Sequence, residues 1–405
     1  MKKYITVILL LCLVATRLNA EKQDSIPRKI IHVIGLDFKP AYTFPTKGFF
    51  NGKNMAESPI RTNLSGHIKY GFKFAPNSYM GEMYPNTVQG IGIGYNTFYN
   101  RKEVGNPLAG YVFQTSRIVS LTQNLSLDYE WNFGASFGWK KYDAEKNPYN
   151  TIVGSKANAY INLGFLLNWQ ITKEVAFRAG IGLSHYSNGN TSYPNYGVNT
   201  LDGRVGLMWC PQDEPGPKIN NKNRLAVTPK YGFKPYVSYD LIVYGATKKK
   251  GMVWQDGSGM LIPGKFAVAG LNFNPMYNFN KYFRAGLSLD AQYDESANIT
   301  DHVANANTPT DDIKFFRPPF IEQFSLGLSA RAEIVMPIFS INLGIGKNFI
   351  CRGADTNSFY QTFVLKTDIT KNFFLHVGYQ LYKFKNPNNL MLGIGYRFNA
   401  DKNRY

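Results

Sequence analysis

Apolar and polar residues alternate along this chain in short stretches from end to end, and past the first twenty residues no run of 18 apolar residues occurs. Strict alternation is the pattern of a strand with one apolar face. The missing long run excludes membrane-spanning helices. About sixteen alternating segments can be read, near 32–44, 62–74, 87–98, 109–120, 125–140, 159–171, 175–188, 200–210, 234–248, 265–279, 282–295, 323–336, 339–350, 360–370, 373–384 and 389–399. Each is long enough for a tilted membrane crossing, which takes about 9–11 residues. Tyr 27, Phe 29 and Gly 37 are high counts beside only 18% charged residues. That balance suits a barrel with aromatic girdles at both membrane interfaces. The expected fold is therefore all-β, an antiparallel transmembrane β-barrel, with a large soluble β-sandwich as the competitor.

The N-terminus, MKKYITVILLLCLVATRLNA, has a charged start at Lys2 and Lys3, an apolar core from Tyr4 to Ala15 and a small residue at Ala20. It reads as a secretory signal peptide over 1–20. Cys12 follows Leu11, which is not the small residue a lipidation signal needs. The net charge of +18 would suggest nucleic acid in a cytosolic chain. No nucleic-acid motif is found, and an exported chain rarely meets nucleic acid. Anionic lipid or lipopolysaccharide phosphate is the expected partner, beside the plainer reading of a solvated basic surface. Only Cys210 and Cys351 follow the signal, which leaves one disulfide open without establishing it. No zinc motif, calcium loop or phosphate-binding glycine loop is present, so no metal and no cofactor are expected.

Connection lengths give the barrel a direction. Thr122–Asn124, Thr172–Glu174, Asn280–Lys281, Met336–Pro337 and Thr370–Asn372 are tight, whereas 45–61, 141–158, 249–264 and 296–322 are long. Short turns are expected at the periplasmic end and long loops outside. The stretch after the second strand is longer than this rule wants. The chain also repeats itself: ITKEVAFRAGIGLSHY (Ile171–Tyr186) resembles ITKNFFLHVGYQLYKF (Ile369–Phe384). Residues 211–230, PQDEPGPKINNKNRLAVTPK, are polar and contain proline, as a linker would. The expected organisation is a signal peptide at 1–20, a barrel at 21–210, a linker at 211–230 and a second, degenerate barrel repeat at 231–405. Two tandem eight-stranded units account for the linker's position, and a single sixteen-stranded barrel is the alternative. The last strand, NLMLGIGYRF, ends in Phe398 as barrel-assembly signals do, although further residues follow.

Chemistry concentrates at the end of the seventh segment. Phe177, Ala179, Ile181 and Leu183 share one parity, and His185 and Ser187 continue it. Those two should then face outward, at the outer-leaflet end of the strand. Polar groups facing lipid are costly and mark function. Residues i and i+2 on a strand lie about 6–7 Å apart on one face. At that distance an imidazole can take a serine hydroxyl proton if the side chains lean together.

HYSNGN (His185–Asn190) is followed by PNYGVN (Pro194–Asn199). Here the sequence resembles the lipid A 3-O-deacylase family, also labelled acyloxyacyl hydrolases, which are outer-membrane barrels. That family carries H-x-S-N on its penultimate strand, then a Pro-Asn-x-Gly hairpin and an acidic residue on the last strand. The match covers about 32–210. The resemblance implies a Ser–His–acid esterase that removes the ester-linked acyl chain at the 3-position of lipid A. Ser187 would be the nucleophile and His185 the general base, with Asn188 and the backbone near Gly189 as oxyanion donors. The third member falls on Asn199, where the family has Glu. Asn can hold an imidazole but cannot stabilise imidazolium as a carboxylate does. Asp202 has the wrong parity to replace it, Glu174 lies at the far end of the strand, and Asp143 and Glu145 lie in a loop.

His32, His67 and His302 show no partners at catalytic or metal spacing, and His376 sits in a strand whose site positions carry Lys383 and Lys385. The second half is thus expected to lack the site. The partners implied are lipopolysaccharide or lipid A as substrate and outer-membrane lipid, with no nucleic acid and with a homodimer left open. The expected location is the outer membrane, with multiple passes. The rival readings are a structural or pore-forming barrel of impaired activity and a phospholipid esterase.

Overall fold

Alternation becomes strand because a closed sheet lets one face meet lipid while the other packs inward. The computed structural model of the protein describes residues 30–76, 78–211, 233–253, 259–304, 314–384 and 386–400. The signal segment 1–20 and, apart from Pro211, the linker 211–230 lie outside them. The first half holds β1 (Ile30–Thr43), β2 (Thr62–Phe74), β3 (Val88–Thr97), β4 (Gly105–Ser120), β5 (Leu125–Trp139), β6 (Ala157–Gln170), β7 (Val175–Ser187) and β8 (Val198–Trp209). The second opens with β9 (Tyr236–Lys248) and a short hairpin, β10 (Gly251–Val253) and β11 (Gly259–Leu261). It continues with β12 (Phe266–Asn278), β13 (Phe283–Asp294), β14 (Phe324–Val335), β15 (Phe339–Ile350), β16 (Phe359–Asp368), β17 (Phe373–Tyr382) and β18 (Asn386–Phe398).

These strands form two closed antiparallel eight-stranded barrels rather than one of sixteen. β8 returns to β1, pairing Leu207 with Leu36 and Val205 with Phe38. β18 returns to β9, pairing Ile394 with Val243. The single-barrel alternative fails because each half satisfies its own edge strands. No helix is long and apolar enough to cross a membrane, and the crossings are made by strands. On the outward faces, Ile68, Ile91 and Ile181 are 64%, 61% and 63% exposed, which is the apolar band that lipid covers. Cys210, which is buried, and Cys351 lie in different halves and are not joined, so the disulfide left open by the sequence does not form.

Eight strands leave an interior that side chains fill. In the first barrel the buried Glu130 carboxylate receives Lys69 Nζ at 2.6 Å, Arg204 Nη1 at 2.6 Å and Arg178 Nη2 at 3.0 Å. Lys69 also pairs with Asp37. In the second, Asp240 receives Arg397 Nε at 2.8 Å and Lys366 Nζ at 2.9 Å, and Lys366 reaches Glu333 at 2.8 Å. Above the first network an apolar cluster that includes Phe49, Phe50, Phe98, Trp139 and Tyr186 fills the loop end.

The barrels touch side by side. Trp131, outward on β5, meets Phe339 edge-on at 4.9 Å and packs with Met336 and Leu365. The overlong connection after β2 is explained here. It carries a short helix, Tyr79–Met83, and beyond it Tyr84 Oη donates to the Lys281 carbonyl at 2.7 Å while Tyr282 Oη donates to the Met83 carbonyl at 3.0 Å. That turn is an inter-barrel contact, so it is longer than a turn that only reverses the chain.

Candidate active site

Tyr186 fixes the direction of its two neighbours. It points into the first barrel, stacks on Tyr160 at 5.1 Å and donates to Asn96 Oδ1 at 3.0 Å. Successive strand residues face opposite sides, so His185 and Ser187 face outward, continuing the face of exposed Ile181 and Leu183. Both are half-buried, unlike that pair, at the end of the strand where the 188–197 hairpin follows.

β7 and β8 are in register with His185 directly opposite Asn199. The Asn199 Oδ1 atom lies 2.7 Å from His185 Nδ1. An amide oxygen can only accept, so in this assignment the proton sits on Nδ1 and Nε2 is left as a base. Asp202 points inward, taking Asn162 Nδ2 at 3.0 Å and Ser184 Oγ at 3.2 Å. Glu174 accepts from Trp209 Nε1 at 3.3 Å at the other end of the strand. Asp143 accepts the Glu145 and Lys146 amides in its own loop. None of these carboxylates takes the place of Asn199.

The remaining site residues are arranged unevenly. Ser187 shares the outward face with His185, but no hydrogen bond joins them among the described residues. Catalytic hydrogen bonds are often long without substrate and tighten on binding. Asn188 is committed to the hairpin. Its Nδ2 donates to the Ser192 carbonyl at 2.9 Å and its N–H to Asn195 Oδ1 at 2.9 Å. Gly189, at φ 61, keeps a backbone N–H with no partner among the described residues. Of the two groups expected to meet an oxyanion, the Asn188 side chain is thus taken up by the hairpin and the Gly189 N–H is not.

Sequence reasoning missed Gly197. It sits at φ 74 behind the imidazole, and a Cβ built there would fall 2.9 Å from His185 Cε1. Its place in the family hairpin was a usable signal, but its contact with the ring was not. The hairpin is also braced by the loop before β6, through Tyr196 N to the Ile152 carbonyl at 3.2 Å.

The other histidines are more engaged than their spacing suggested. His67 Nε2 lies 2.9 Å from Ser65 Oγ and its Nδ1 2.9 Å from Tyr111 Oη. This Ser–His pair is enclosed inside the first barrel, at 5% and 3% exposure, where no bulky substrate enters. His302 pairs with Glu322 at 2.8 Å in a loop of the second half, and no metal-binding group of His, Cys, Asp or Glu occurs among the described residues. In the repeat, β17 ends at Tyr382, and Lys383, in the place of His185, has left the strand at φ 53. Lys385 lies outside the described residues.

Residues 89–208 match the family model "Lipid A 3-O-deacylase (PagL)", and residues 237–400 match "Acyloxyacyl hydrolase, C-terminal domain". The second half, reached from the sequence only through the internal repeat, thus has a family model of its own. No curated protein matches the chain. Among solved structures, Neisserial surface protein A is 9% identical, covering 44% of this chain and 96% of its own, with a TM-score of 0.30. The siderophore receptor PirA from Pseudomonas aeruginosa is 8% identical, covering 92% of this chain and 81% of its own, with a TM-score of 0.24. Likeness at that level carries no functional argument. The two family matches together span most of both barrels, and the chain belongs to the lipid A 3-O-deacylase and acyloxyacyl hydrolase family.

Proposed function

We propose that the protein is an outer-membrane serine esterase that hydrolyses the ester-linked acyl chain at the 3-position of lipid A. The observation that carries this reading is the His185–Asn199 hydrogen bond on the outward face, with Ser187 two residues away. Ser187 Oγ attacks the acyl carbonyl while His185 Nε2 takes its proton. The developing oxyanion is met by the Gly189 N–H. Collapse expels the sugar hydroxyl, protonated by His185, and leaves the acyl group on Ser187. Water, deprotonated by the same imidazole, then releases the fatty acid. Asn199 holds the ring in the tautomer this requires. The ion pairs that fill both barrels argue against a pore.

Lipid A from cells expressing the protein, compared by mass spectrometry with lipid A from cells expressing Ser187→Ala, tests the proposal. The expected result is loss of one ester-linked acyl chain with the wild type only. Identical profiles from folded wild type and variant would overturn it, and phospholipid profiled in the same cells shows whether a glycerol ester is cleaved instead.

A further inference from the structure

The half of the chain that lacks the Ser–His pair still touches the hairpin that follows it. On the outward face of β18, Leu392 and Ile394 are 47% and 57% exposed, yet Leu390 on the same face is only half-exposed. Gly189 lies against it: a Cβ built there would come within 2.6 Å of Leu390 Cδ2. One residue on, the Asn190 carbonyl accepts the N–H of Lys249, just past the end of β9, at 3.0 Å. Gly189 and Asn190 are consecutive left-handed residues, at φ 61 and 64. A strained turn of this kind persists where its surroundings over-determine it, and here part of those surroundings belongs to the other barrel.

We infer that the second barrel is a positioning element for the first barrel's reaction, with Leu390 and the Lys249 N–H fixing the Asn188–Asn190 turn. The inference rests on the Ser187 esterase reading. Leu390 and Lys249 are positioning residues: they act through Gly189 and Asn190 respectively. A backbone donor stabilises an oxyanion only if it is already aimed when charge develops. A rim loop braced from one side only opens easily. The hairpin is braced by the Ile152 segment of its own barrel on one side and by the second barrel on the other. This gives the second half a task that needs no Ser–His pair of its own. A side chain at 189 would have to move Leu390 aside as well as adopt a left-handed backbone.

The test uses the full chain with Leu390→Ala, Leu390→Met and Lys249→Pro, which removes the N–H donor, alongside Ser187→Ala. Folding is checked by heat-modifiable migration on gels. Two quantities are read: turnover of a short-chain aryl ester in detergent, and amide hydrogen exchange across 188–197. Leu390→Ala and Lys249→Pro are expected to lower kcat about tenfold, short of the roughly 10²–10³ lost with a whole oxyanion donor, with KM nearly unchanged. Both should speed exchange in the hairpin, and Leu390→Met should restore both readouts. Full kcat together with unchanged exchange in the Ala and Pro variants would overturn the inference. Exchange does not depend on catalysis, so a Ser187→Ala enzyme that stays active sinks the esterase reading without touching the coupling result. Faster exchange with unchanged kcat would show a bracing contact that does no work for the reaction, and overturns the inference as well.

Discussion

In the proposed esterase, Asn199 decides what kind of base His185 can be. Its carbonyl oxygen, 2.7 Å from Nδ1, orients the ring as a carboxylate would, but it brings no charge to balance the imidazolium formed during attack. In a serine protease triad the change from carboxylate to amide costs about 10⁴ in rate, mainly through the wrong imidazole tautomer, and the Asn199 Oδ1 contact avoids that part here, leaving the loss of charge. Asn199→Asp, which keeps the shape, is therefore expected to raise kcat at least about tenfold, a fraction of that span. Steady-state turnover of the purified variant checks it, and an unchanged kcat would mean that imidazolium stabilisation does not limit the rate. At this scale the sequence was legible where parity alone was needed. The outward direction of His185, Ser187 and Asn199 follows from counting along β7 and β8. The commitment of Asn188 to Ser192 and Asn195 was not legible, because it depends on how the hairpin folds back on itself.

The β7–β8 hairpin is the element on which the site depends. Gly197 lets its backbone lie against the imidazole at a φ of 74. Gly197→Ala adds a methyl toward His185 Cε1 and a left-handed penalty of about 1–2 kcal/mol. Displacing a catalytic group by about 1 Å can cost as much as 10²-fold, so kcat should fall at least about tenfold in a protein that still migrates as a folded barrel. Wild-type turnover from this variant would remove Gly197 from the site. The sixteen long strands were readable because lipid on one face and packed side chains on the other impose period two over ten or more residues. The β10–β11 hairpin and the Tyr79–Met83 helix were not, since each is too short to show a period and is set by its neighbours. The penultimate strand, β17, was read two residues too long. Apolar Tyr382 and Phe384 continue the alternation, but the backbone turns at Lys383 and Phe384, both at positive φ.

At the scale of the molecule, each barrel holds its own buried charge network. Glu130 is the shared acceptor of Lys69, Arg178 and Arg204. Removing one partner of a buried ion pair strands the others and costs about 3–5 kcal/mol. Glu130→Ala should accordingly lower the temperature at which the first barrel loses its heat-resistant gel migration, and Glu333→Ala should do the same for the second. No shift in either would mean that water enters both interiors. That there are two barrels rather than one was hinted by the linker's position after an even strand, but it is decided by seam pairing between β8 and β1, which no local pattern encodes. The side-by-side contact through Trp131 and Phe339 was equally hidden, because an aromatic outside a barrel looks the same whether lipid or protein covers it. One consequence follows from the outward placement of His185 and Ser187. A lipid substrate of the proposed esterase reaches them by moving in the plane of the leaflet and never crosses bulk water. Its working concentration is a mole fraction among neighbouring lipids, so turnover is governed by surface dilution rather than by millimolar amounts in solution.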